Sequence, residues 1–109
     1  MTDNDKIRIV IKRPGDPAEI VEIENSFDEL KRVAGLRFVE AGRLHTSSGI
    51  VDVFFEDTRG DAKPNVRSPI HGVIVGPVIA LDHDDNGDAL GLGLVLAETT
   101  AALLDVLAV

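Results

Sequence analysis

GVIVGPVIALDHDDNGDALGLGLVL, residues 72–96, is the stretch whose reading decides the fold. Gly72 to Leu81 is nearly continuous apolar sequence, the pattern of a strand covered on both faces. Pro77 within it has no amide hydrogen to donate, which predicts a bulge or a locally unpaired edge there. Asn86-Gly87 is the preferred dipeptide of a type I′ hairpin turn, so the chain is expected to reverse inside the acidic run Asp82-His83-Asp84-Asp85-Asn86-Gly87-Asp88. Beyond the turn Leu90, Leu92, Leu94 and Leu96 alternate with Gly91, Gly93 and Val95, which predicts a returning strand with its leucines in the core. The glycines leave the other face bare, open to close approach by a helix or a partner chain.

Downstream, Thr100, Leu103, Leu104, Leu107 and Ala108 fall at the 3.6-residue period of a C-terminal helix. Asp105 is the one charged residue among the last nine, so this helix is expected to be buried on several sides. Docking on the sheet would achieve that within one chain; a homo-oligomer through the helix would achieve it between chains.

Upstream, Lys6 to Lys12 alternates, with Ile7, Ile9 and Ile11 on one face and Lys6, Arg8 and Lys12 on the other: a half-buried strand. Pro14-Gly15 suits the centre of a type II turn. In Glu19 to Glu24, Val21 and Ile23 turn inward, while Glu22 and Glu24 face Arg8 and Lys12 across the hairpin on a solvated sheet face. Ser26-Phe27-Asp28-Glu29 is a capping box, with Ser26 capping and Glu29 reaching back, and it opens a short helix over 27–34 that Gly35 stops. Leu36 to Glu40 reads as a strand, Gly42 to Gly49 as a loop, Ile50 to Glu56 as a strand, and Ala62 to Pro69 as an ordered connection. The expected fold is α+β: a small, mainly antiparallel sheet, a short helix near residues 27–34 and a C-terminal helix. Residues 1–109 read as one domain, with 1–5 as a disordered tail.

Composition narrows the function. Four Phe with no Trp or Tyr mean an aliphatic core and few platforms for stacking bases. The net charge is −8, and after Arg67 there is no Lys or Arg at all. Direct nucleic-acid binding needs clustered positive charge and is not expected. The absence of cysteine removes disulfides, thiolate nucleophiles and Cys-ligated metals. Met1-Thr2-Asp3-Asn4-Asp5 is polar and acidic with no apolar h-region after it, and no apolar run approaches the ~18 residues of a membrane span. A cytoplasmic protein that binds no membrane and no cofactor is the expectation.

Asp82, Asp84 and Asn86, followed by Gly87, match the opening of an EF-hand loop, where alternate oxygens wrap a hard cation. The twelfth position should be a bidentate Glu and is Gly93, and a strand rather than a helix precedes Asp82, so a solvated turn is the better reading. His45, His71 and His83 are scattered without metal-ligand spacing. Ser47-Ser48-Gly49 is not a nucleophile elbow, and Gly91-x-Gly93 is not a dinucleotide fingerprint, so no catalytic residue is assigned. Lys63, Asn65 and Arg67 lie together on a proline-constrained segment and are the candidate contacts for a small anion or a partner.

Several short motifs add to this reading. They are Pro14-Gly15 with Pro17 after the first strand, Glu22-Ile23-Glu24-Asn25 leading into a helix with Leu30, and Val39-Glu40 after Gly35. Pro64-Asn65 with Arg67 and Ile74-Val75-Gly76-Pro77-Val78 follow in order. With these the chain resembles the bacterial and phage family called domain of unknown function 3846, over most of residues 7–81. The resemblance implies carriage on phages, plasmids or their hosts, and no established activity or catalytic residues. The leading expectation is a non-enzymatic binding or interaction protein of phage or mobile-element type. An acidic nucleic-acid mimic that inhibits a host defence or DNA-binding protein is the alternative, and a small-molecule enzyme with a spatially assembled site is a third.

Overall fold

The computed structural model describes residues 6–26, 28, 29, 32, 40–55, 63–68, 72–86 and 89–109. Among the described residues, eight strands and a C-terminal helix are arranged as an α+β fold: β1 (Lys6–Lys12), β2 (Glu19–Glu24), β3 (Glu40–Thr46), β4 (Gly49–Phe55), β5 (Pro64–Ser68), β6 (Gly72–Val75), β7 (Val78–His83), β8 (Ala89–Leu90) and α1 (Leu94–Leu107). The main sheet runs β2-β1-β7-β4-β3, with β8 paired to the end of β7, and β5-β6 form a second, two-stranded sheet. Every pairing is antiparallel. The expected tail at 1–5 lies outside the described residues.

The apolar run ends in the most central strand. β7 lies between β1 and β4, and Val78, Ile79, Ala80 and Leu81 are all buried. The single strand expected over Gly72–Leu81 is in fact two. Gly76, at φ 76°, donates its N–H to the Lys63 carbonyl at 2.9 Å, and the chain passes through Pro77 from the small sheet into the large one. A residue without a donor, preceded by one in the left-handed region, breaks the ladder outright instead of bulging it.

Alternation sorts the core onto two faces. Val10, Val51, Val53, Val78 and Ala80 meet Leu92, Ala97 and Leu104 on the helix side, together with Val66 and Ile74 of the small sheet. Ile7, Ile9, Ile11, Ile23, Ile79 and Leu81 form the second cluster on the opposite face. β1 is therefore buried on both sides, and Lys12, placed by the sequence on a solvated face, is only 2% exposed. Alternation told which side Lys12 takes, but not that β5 covers that side.

The β1–β2 hairpin follows its turn chemistry. Asp16 N–H donates to the Arg13 carbonyl at 3.1 Å around Pro14-Gly15, with Gly15 at φ 81°, and Arg8 pairs with Glu22 at 3.6 Å. Ser26 Oγ accepts the Glu29 N–H at 3.0 Å, and Asp28, Glu29 and Arg32 are helical. The reciprocal arm of the capping box is diverted, because the Glu29 carboxylate takes Arg32 Nε at 2.8 Å. The rest of the helix expected over 27–34, and residues 36–39 of the strand expected at 36–40, lie outside the described residues.

Three irregular segments of the sequence reading are ordered differently. The loop expected over Gly42–Gly49 is mostly β3, paired residue by residue with β4 and reversed at Ser47-Ser48. An edge strand in which Leu44 is the one buried side chain among the described residues 42–46 lacks the alternation that identifies strands. The connection expected over Ala62–Pro69 contains β5, whose register shifts between Pro64 and Val66. That shift lets the consecutive Asn65 and Val66 both be buried, a pattern no period of two reveals.

The third is the hairpin tip. Asp82 pairs with Leu90 and His83 with Ala89, which leaves 84–88 as a five-residue connection. A type I′ turn needs φ > 0 at Asn86, yet no described non-glycine residue has it. Asp84 Oδ1 instead accepts the Asn86 N–H at 2.9 Å; Gly87 and Asp88 lie outside the described residues. The returning strand expected to Leu96 stops at Leu90, and the helix begins at Leu94, with Ala97 N–H bonded to the Gly93 carbonyl at 2.9 Å. Leu92 enters the core, while Leu90 and Leu94 stay exposed. Leucine and alanine are strong helix formers, and docking Ala97, Thr100 and Leu104 on the sheet outweighs a four-leucine alternation.

Candidate functional site

The anion-binding trio, which a regular pleat would keep on one face, is split by the register shift between Pro64 and Val66. Lys63 and Arg67 are exposed, while Asn65 turns inward and is 1% exposed. Its Oδ1 accepts Lys12 Nζ at 3.0 Å, and its Nδ2 donates to the carbonyls of Lys12 at 2.7 Å and Gly76 at 2.8 Å. Lys12 Nζ also donates to the Arg13 carbonyl at 2.8 Å. The amide is spent on fastening the small sheet to the large one, which leaves Lys63 and Arg67 as the outward-facing pair.

At the far end of β7 the fold gathers a group that the sequence reading did not assemble. Asp52 of β4 stands opposite Leu81 and next to Arg43 of β3, and its carboxylate hydrogen-bonds His83 Nδ1. Asp82 Oδ1 accepts the His83 N–H at 2.8 Å. The hydrogen bond to Asp52, then the charge of Asp52, hold the His83 pKa above its usual value; Asp82 adds to this, while desolvation and Arg43 oppose it. One donor atom each from Asp52, Asp82 and His83 lies within 4.8 Å of the others, a spacing a divalent cation can bridge. In this geometry Asp52 is engaged with the His83 ring and Asp82 with its N–H, and the His83–Asp52 hydrogen bond, an ion pair when His83 is protonated, ties β7 to β4. Asp82 of the metal set read from the sequence joins this group, whereas Asp84 and Asn86 are tied to each other within the turn.

The third feature is the outer face of α1. Ala97, Thr100 and Leu104 make its buried stripe. At 100° per residue, the line directly opposite carries Val95, Ala102 and Val106, all exposed, with Val95 at 68% and Val106 at 79%. Leu94, exposed at 54%, lies on the flank of the helix beside this line. The helix expected to be buried on several sides is thus buried on one and apolar on the other. The spacing 95–102–106 was present in the sequence but was masked by the leucine–glycine alternation, which put Val95 on a strand.

An internal cavity of about 10 Å³ lies between β5–β6, the main sheet and α1, among Leu44, Val53, Val66, Ile74, Val78 and Leu104. Arg43 and Ser68 complete its lining, and with room for about one water it is too small to hold a ligand. Among the described residues, no helix is long and apolar enough to cross a membrane. Comparison of the chain with protein-family models, with curated proteins and with solved structures gives no match.

Proposed function

We propose that this chain is a non-enzymatic binding protein that engages a protein partner through the outer face of α1, of the phage or mobile-element type its sequence resemblance implies. The observation that carries the reading is the line Val95, Ala102 and Val106 opposite the buried stripe. Single exposed aliphatic residues are ordinary on a protein surface, but three on one line of a helix, seven and four residues apart, match the spacing of the anchors by which helices dock. Lys63 and Arg67, on the outer side of β5, are proposed as a second contact, for an anionic group of the partner or a small anionic ligand. The nucleic-acid mimic draws less support: Asp52 bonds to the His83 ring, and Asp82 and Asp84 bond to neighbouring amides.

The test uses two baits of equal thermal stability, the natural chain and Val95→Asp/Val106→Asp. A protein retained by the first and lost from the second is the expected outcome, and equal retention overturns the reading. Lys63→Ala/Arg67→Ala is expected to weaken the same capture; unchanged capture removes the second contact.

A further inference from the structure

We infer that the partner seated on α1 is a cationic amphipathic helix, and not a second copy of this chain. The inference rests on the interaction face proposed above and adds the chemistry of its occupant. Val95, Ala102 and Val106 are small to medium side chains, and Thr99 on the adjoining flank hydrogen-bonds the Val95 carbonyl at 2.9 Å. Such a surface lets a second helix approach to the ~8–10 Å of close helix packing. Glu98 and Asp105, seven residues apart and both exposed, rim the other flank. Asp105 gives one oxygen to the Ala18 N–H at 2.8 Å and still presents its charge at the rim.

Charge then selects the occupant. α1 carries no basic residue, and no Lys or Arg follows Arg67 in the chain. A second copy docked through its own α1 would bring only further carboxylates to the rim, on a body of net charge −8, so α1-to-α1 self-association sets like charges against each other. A helix with leucine-type residues on one face and lysine or arginine beside them satisfies both the apolar line and the acidic rim. α1 is about 21 Å long, so this contact is small against the ~800 Å² per partner of a standard interface, and the affinity should be modest and sensitive to salt.

The experiment titrates the isotope-labelled full chain with a synthetic amphipathic helical peptide of leucine and lysine, and with its leucine–glutamate mirror. Expected are amide shifts confined to α1 with the lysine peptide, none with the glutamate peptide, and affinity falling about fivefold or more between low and physiological salt. Val95→Asp/Val106→Asp adds two negative charges, so attraction by net charge alone would tighten binding, whereas the proposed contact weakens about tenfold. Glu98→Gln/Asp105→Asn, which keeps an acceptor for Ala18, should also weaken it. Shifts away from α1, or tighter binding by the aspartate variant, overturn the inference. A dimer detected by light scattering and dissolved by Val106→Asp also overturns it, yet leaves α1 an interface. Failure of the face itself is read separately, from equal retention by the two baits.

Discussion

Lys12 and Asn65 show what a single residue contributes to this fold. A buried ammonium held by a side-chain amide and a carbonyl depends on each acceptor, and Asn65 also satisfies the carbonyls of Lys12 and Gly76. Asn65→Ala removes the amide from both carbonyls and leaves Lys12 Nζ with the Arg13 carbonyl as its remaining acceptor of the two, and should cost about 3 kcal/mol or more of unfolding free energy. Lys12→Met removes the charge together with its desolvation and should cost less, about 1–2 kcal/mol. Urea unfolding of both variants checks the order, and a loss below ~1 kcal/mol for Asn65→Ala would show that the node is not structural. The sequence marked Asn65 as a ligand contact because its type and position fit one. Only the register shift in β5 turns it inside. His83 makes a second residue-scale prediction. Its pKa is raised above the ordinary 6.5 by Asp52, so its contribution to stability is full below that value and is lost as pH rises through the raised one. Asp52→Asn should lower the His83 titration midpoint seen by NMR, and the stability gap between the two proteins should narrow over the same window.

At the scale of elements, the decisive piece is the junction between β8 and α1. Gly91 runs against β1, where an added Cβ would meet the Arg8 nitrogen at 2.7 Å and the Ile7 Cα at 3.2 Å. Main chain cannot step aside as a flexible side chain can, so Gly91→Ala should destabilise by about 1–3 kcal/mol. Gly93 has nothing within 4 Å of its Cβ position, and Gly93→Ala should stay within about 1 kcal/mol. Thermal unfolding of the pair tests this, and equal losses would place the cause in backbone entropy. The glycines were read as permitting close approach, and at Gly91 they do: the neighbour is β1 of the same chain, with Leu92 N–H bonded to the Arg8 carbonyl at 2.8 Å. Local pattern failed one step later. Leucines at alternate positions from Leu90 to Leu96 look like a strand, yet a helix beginning at Leu94 buries Ala97, Thr100 and Leu104 together.

For the whole molecule, α1 closes the structure. Leu104 reaches the cavity shared by Val66 of the small sheet with Val53 and Val78 of the large one. Beyond the helix, Ala108 bridges to Val66 and Val109 N–H bonds the Asn65 carbonyl at 2.9 Å. Leu104→Ala enlarges an existing void where three elements meet and should cost about 3–5 kcal/mol, read from the urea midpoint; a loss near 1 kcal/mol would mean that α1 is not the clasp. The sequence by itself determined the class of fold, the β1–β2 hairpin with its Pro14-Gly15 turn, the burial of Val78–Leu81 and the presence of a C-terminal helix. Each of these is written in local periodicity or turn chemistry, which act over a few residues. Tertiary structure alone decided that Lys12 and Asn65 meet inside, that Asp52 reaches His83, and that Val95 and Val106 remain uncovered. Those outcomes depend on which surfaces lie over one another after residues tens of positions apart have paired, and no local pattern carries that information.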